Sequence, residues 1–179
     1  GYILVSACNG ATLFSYIATA PDLIIDIWGF SQSQFGLIFA IIAVGVIGSS
    51  QVNRRLLLHY SPDRILGVAC LFAVGFGIAL LAAALLDASK WWILAGLFAV
   101  LTSNGFIAAN ALAGALNVDP LRAGTTSGLF GAANFALGAV ASATAAALHD
   151  GTPRPVAMVI ATALVLATIA YYGLARPRT

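Results

Sequence analysis

Across 179 residues there are only eight Lys and Arg and six acidic residues, every one of them Asp, while 61% of the chain is hydrophobic and its mean hydropathy is +0.99. So much apolar surface with so little charge excludes an ordinary water-soluble domain and a disordered one. It suits a bilayer, which each stretch of roughly 20 apolar residues can cross as a helix. The net charge of +2 says little about partners, since what matters is where the Lys and Arg fall; no nucleic-acid partner is expected.

The pattern predicts an all-α, polytopic membrane protein: one domain over 1–179 with spans at about 2–20, 35–52, 62–86, 91–112, 120–148 and 155–173. The first run carries Cys8 and ends at Pro21-Asp22. Ser31 and Gln34 have capping-box spacing ahead of the second run. Ser61-Pro62-Asp63 opens the third, which carries Cys70, with Ser as cap and Pro in the first turn. The fourth starts at Trp91. Asp119-Pro120 opens the fifth by the same cap-and-proline logic, and Pro155 opens the sixth. Both cysteines lie inside apolar runs without metal or redox spacing and read as small buried hydrophobes.

Six spans fix which loops share a side. Arg54, Arg55, Arg64, Arg122, Arg176 and Arg178 fall on one side, and only Lys90 and Arg154 on the other. The positive-inside rule then makes both termini cytoplasmic. Trp28, Trp91 and Trp92 fall near the outer boundary and Tyr60, Tyr171 and Tyr172 near the inner one, as interfacial belts.

Polar residues are unevenly shared. Span one carries Ser6, Asn9, Thr12, Ser15 and Tyr16, of which 6, 9, 12 and 16 lie on one helical face. Span four carries Thr102, Ser103, Asn104 and Asn110; span five carries Thr125, Thr126, Ser127, Asn134, Ser142 and Thr144. Span three has no such residue between Leu66 and Leu86, and span six only Thr162 and Thr168. Helices one, four and five are therefore expected to face a polar interior, with three and six toward lipid. Each Asn has two readings, interhelical hydrogen-bond glue or cavity lining. Gly124 with Gly128, Ser127 with Gly131 and Gly138 with Ser142 have the small-residue spacing of helix packing. Asn9-Gly10 and Asn104-Gly105 echo one another in the first helix of each three-helix half, where an inverted repeat would put them.

Four stretches carry a family resemblance: Leu13-Phe14-Ser15-Tyr16-Ile17 with Pro21, leading to Ser31-Gln32-Ser33-Gln34-Phe35-Gly36; Ser50-Gln51-Val52-Asn53-Arg54-Arg55 with Ser61-Pro62-Asp63-Arg64-Ile65-Leu66; Asn104-Gly105-Phe106-Ile107 with Asn110; and Arg122-Ala123-Gly124-Thr125-Thr126-Ser127 with Gly131 and Gly138. In this order they resemble the C-terminal six-helix half of a major facilitator superfamily transporter, in the bicyclomycin and chloramphenicol resistance branch of drug/proton antiporters. The resemblance implies a 3+3 inverted-repeat bundle whose first, second, fourth and fifth helices line a central pathway. It implies multidrug efflux of small amphipathic compounds across a bacterial inner membrane, driven by the proton gradient, with substrate held between this half and an N-terminal six-helix half. Asn9, Tyr16, Asn104, Asn110 and Asn134 are the expected pathway residues. Gln51, Asn53, Arg54, Arg55, Arg64, Asp119 and Arg122 are expected at the cytoplasmic gate or as topology signals, with arginine contacts to Asp63 or Asp119. Gly124, Gly128, Gly131 and Gly138 are expected in helix packing. The resemblance implies a Gln where Asn134 stands, so this chain departs from it by a shorter amide.

All six Asp fall in loops or at helix ends, and His59 and His149 lie on opposite sides. An intramembrane carboxylate is the usual proton carrier, so the coupling group is expected outside this chain. No cofactor or metal is expected, and no Ser-His-Asp grouping, ligand cluster or phosphate loop suggests an enzyme. The chain opens at Gly1 without Met and reads as a fragment or processed piece. Two other readings remain: a half-size transporter or facilitator pairing with a second copy of itself, and a non-transporting membrane scaffold or truncated, inactive product.

Overall fold

In the computed structural model, which describes residues 1–175, each apolar run folds into one helix long enough to cross a bilayer. These are α1 (Tyr2–Pro21), α2 (Gln32–Leu56), α3 (Pro62–Leu85), α4 (Lys90–Val118), α5 (Ala123–Ala147) and α6 (Arg154–Ala170), with no strand among the described residues. Arg176 and Arg178 lie outside the described residues.

Local chemistry sets most boundaries. Ser31 accepts from the Gln34 backbone while Gln34 accepts from the Ser31 backbone, closing the expected capping box of α2. Ser61 accepts from the Arg64 N–H at the start of α3, and Pro62 occupies its first turn. Three boundaries differ from the sequence reading, the simplest being the fourth helix, which runs on to Val118 instead of ending near 112. The first helix does not stop at Pro21 but continues as a π-helical turn over Asp22–Ile27. Proline removes an N–H and crowds the preceding turn, and the wider π turn accommodates this without ending the helix. Asp119 does not cap α5. Pro120–Arg122 form a short 3₁₀ turn, and the Asp119 carboxylate pairs with Arg122 instead.

The packing obeys a two-fold rule. α1 packs on α5, α6 and α4, and α4 packs on α2, α3 and α1, while α3 and α6 pack on each other. Exchanging α1–α3 with α4–α6 leaves that scheme unchanged, so the six helices form a 3+3 inverted repeat. Leu66, Leu80, Leu97, Leu101, Ile160 and Leu164 fill the centre. In a bilayer such residues gain little from leaving lipid, so their contribution is close packing rather than escape from water. Cys8 and Cys70 are free thiols buried in this packing.

The two halves differ in their outer helices from the rest. In the apolar stretch of α1, 61% of residues are buried, against 11% in α2 and 17% in α5. α2 and α5 each hang mainly on one central helix and leave broad apolar faces open, including Leu37, Val44 and Ile47 on α2 and Leu129, Phe135 and Val140 on α5.

Two clusters define the ends of the bundle. At one end Tyr2 donates to the Asp63 carboxylate and Tyr171 to the Asp63 carbonyl at 2.6 Å. At the other, Arg154 reaches both Asp87 carboxylate oxygens at 2.7 Å, Lys90 donates to the Trp28 carbonyl, and His149 lies 3.3 Å from Asp22. Arg54, Arg55, Arg64 and Arg122 all belong to the Asp63 end, and Lys90 and Arg154 to the opposite one.

Candidate functional site

The polar face of α1 is buried along its length: Ser6, Asn9, Thr12, Ser15 and Tyr16 are each at most 2% exposed. It meets α4 on the pseudo-two-fold. Asn9 Nδ2 donates to Asn104 Oδ1 at 2.7 Å, and Asn104 Nδ2 reaches the Thr12 hydroxyl at 3.5 Å. The echoed Asn-Gly pairs are thus in direct contact. Each adjacent glycine seats the neighbouring helix of the other half. A Cβ on Gly10 would come within 2.5 Å of Asn134 Oδ1 on α5. A Cβ on Gly105 would strike Ser49 and lie 2.7 Å from the Val46 carbonyl on α2. Only glycine permits both approaches.

The other amides close the same joints. Asn134, half-buried on α5, donates to Ser6 Oγ at 2.9 Å and to the Phe130 carbonyl at 2.7 Å. Asn110 donates to Asn53 Oδ1 and to the Phe106 carbonyl, each at 2.7 Å. Asn53, read from sequence with the gate residues, is buried at the α2–α4 joint.

Several buried groups keep an unused hydrogen-bonding atom: Asn9 Oδ1, Asn110 Oδ1, Ser15 Oγ, Thr102 Oγ1 and the Tyr16 hydroxyl have no partner among the described residues. An unpaired buried polar atom costs about 1–3 kcal/mol, so these atoms are sites where a hydrogen-bonding molecule would be gained. The Tyr16 ring also stacks against Phe39 of α2, with centroids 6.0 Å apart. The arrangement sets unused amide and hydroxyl atoms beside an aromatic face, all of them covered by packing. Among the described residues no three His, Cys, Asp or Glu group to hold a metal.

The residues expected at the gate separate into distinct settings. Gln51, Arg54, Arg55 and Arg64 are exposed, and Arg64 lies over the Tyr60 ring at 5.2 Å. Arg122 and Asp119 approach to 3.5 Å as an exposed pair. The Asp63 carboxylate, expected to meet an arginine, is held by Tyr2 instead. Of the packing glycines, Gly138 is covered by Phe14, whereas Gly124, Gly128 and Gly131 face open space. The sequence reading missed the glycine seats, the Asn53–Asn110 bond and the Tyr2–Asp63–Tyr171 cluster. The Asn-Gly echo was the available signal for the first of these.

Two bacterial proteins align along nearly the whole chain. The chain is 29% identical over 174 residues to a bicyclomycin resistance protein homolog of Haemophilus influenzae, covering 97% of the chain and 44% of that protein. It is 22% identical over 178 residues to YdgK of Bacillus subtilis, an uncharacterized MFS-type transporter, covering 99% and 44%. The chain therefore spans less than half the length of these curated relatives. No protein-family profile matches it, and no solved structure does.

Proposed function

We propose that this multi-pass membrane chain, which resembles the C-terminal half of a major facilitator drug-resistance transporter, is one half of a proton-coupled exporter of small amphipathic compounds. The observation that carries the reading is the match, along 97% of the chain, to a protein named for resistance to bicyclomycin. The geometry supports it in two ways. The open faces of α2 and α5 suit a second six-helix unit, which would enclose a pathway between the two. The α1–α4 seam supplies amides and a tyrosine with unused hydrogen-bonding atoms.

In this reading substrate binds between the two units near the midplane, and alternate opening of their ends exposes it to one side and then the other. Asn134 reaches both the seam and the unit's outer surface, and with Asn9, Tyr16, Asn104 and Asn110 it orients the substrate. Arg54, Arg55, Arg64 and Arg122 hold the Asp63 end in the cytoplasm of a bacterial inner membrane. Asp63, Asp87, Asp119 and Asp150 lie at helix ends or in loops, whereas Asp22 and Asp26 lie in the π turn that ends the first span and not in a loop as the sequence reading had them. The proton carrier belongs to the other unit.

The test is expression of the native polypeptide containing this chain in a susceptible bacterium. Bicyclomycin tolerance should rise, intracellular accumulation should fall, and a protonophore should abolish both effects. Unchanged tolerance and accumulation would overturn the reading, and export insensitive to protonophore would overturn the coupling. Asn134→Leu should weaken export while the protein reaches the membrane normally. Gel mass of the exporting species shows whether the second unit is covalent or a second copy.

A further inference from the structure

The two-fold packing is not exact at α2, which meets α1 and α3 less than α5 meets α4 and α6. α5 and α6 touch at only a few positions, and their counterparts α2 and α3 meet at fewer still among the described residues. Where α2 and α3 sit apart over α4 there is an apolar crevice of about 470 Å³, lined by α3 and α4 with Leu56 at the end of α2. That is the scale of a small-molecule site. Val68, Phe72 and Phe76 of α3 and Phe106 of α4 form its walls, so it runs from the arginine-bearing end toward the middle of the bilayer.

One charge stands in its lining, Arg64, beside Tyr60 at the mouth. Arg64 has no carboxylate partner among the described residues, and the nearest acid in sequence, Asp63, is occupied by Tyr2. An apolar slot capped by one unneutralised guanidinium complements a molecule with an apolar chain and an anionic head. Arginine suits phosphate because its planar fork can donate two parallel hydrogen bonds.

We infer that the α2–α3 crevice holds an acyl chain of an anionic phospholipid whose phosphate is bound by Arg64. The site faces the leaflet at the Asp63 end and is independent of what the protein transports. An exposed Tyr60 ring under the guanidinium keeps it at headgroup depth.

Native mass spectrometry of the purified, delipidated polypeptide containing this chain tests the assignment. It is supplied with equimolar dioleoylphosphatidylglycerol and dioleoylphosphatidylcholine in detergent. One phosphatidylglycerol should be retained in preference. Arg64→Gln should reduce that preference about fivefold, whereas Arg55→Gln, on the same side but outside the crevice, should leave it unchanged. Val68→Trp, at a position already half-exposed to lipid, should fill the slot and displace the retained lipid. Equal retention of both lipids, equal effects of the two arginine substitutions, or a lipid that survives Val68→Trp would each overturn it.

Discussion

The α1–α5 joint and its symmetry mate, the α4–α2 joint, have the same plan and different tolerances. In both, a glycine following an asparagine lets a flanking helix approach a central one. Gly10 is faced by the end of the Asn134 side chain, whereas Gly105 is faced by the α2 backbone as well as Ser49. A side chain can rotate away; a helix backbone moves only as a whole. Amides also close the two joints at different places, Asn134 to Ser6 in one and Asn110 to Asn53 in the other. The repeat therefore preserves the crossing and the close approach while the side chains that secure them have diverged.

The glycine seats give the widest separation between the joints. Gly105→Ala should destabilise the protein by about 3 kcal/mol, at the upper end of overpacking costs, and Gly10→Ala by about 1 kcal/mol. Thermal unfolding of the purified protein reads this difference, and equal losses would mean that α2 shifts as easily as Asn134 rotates. The bond on the two-fold itself comes next. Asn9→Leu or Asn104→Leu alone should cost about 1–2 kcal/mol by stranding the other amide. The double substitution should cost less than the sum, with a coupling of about 0.6 kcal/mol typical of hydrogen bonds between membrane helices; strict additivity would mean the two amides act separately.

Smaller effects belong to the loops at the opposite end from Asp63. Arg154→Gln removes a mostly exposed ion pair with Asp87 and should cost about 0.5 kcal/mol, lost again in high salt. The weakest concerns Asp150. Hydrogen bonding from the Thr152 hydroxyl holds the Asp150 carboxyl below its ordinary value; desolvation opposes it, and the Thr152 backbone N–H and the Arg154 charge add to the lowering. A lowered carboxyl contributes stability above its unfolded titration range and loses it as pH falls. Protection of the Thr152 amide, its exchange relative to the free-chain rate at the same pH, should therefore fall on acidification through the carboxylate range, and unchanged protection there would show that the turn does not depend on the charge.

How much of this was legible depends on how many residues carried each feature. The six helices were legible because each rests on about 20 apolar positions. The buried face of α1 was legible because four polar residues repeat at helical spacing. Its mate α4 was legible through Asn104-Gly105. By contrast, Asn53 stands one residue from an arginine pair and reads as part of a charged loop, although Asn110 draws it under α4. Pro21 reads as a stop because the π turn that absorbs it has no composition of its own. The five polar positions of α1 read equally as glue or as lining, and composition does not choose between them. Of these, Asn9 has one atom bonded and another unused, whereas Ser15 and Tyr16 keep unused hydroxyls and Ser6 and Thr12 are bonded. The crevice between α2 and α3 was illegible for another reason: two apolar helices look alike in sequence whether they touch or diverge.

The burial of Cys8 and Cys70 has a practical consequence. Both thiols are shielded from aqueous reagents by packing against neighbouring helices. The chain thus comes with a silent background for site-directed labelling. A single cysteine introduced at Thr125 or Gln51, both exposed, would report on accessibility without first removing the native pair. The first helix and the third would then keep the contacts that a cysteine-free version would have to rebuild.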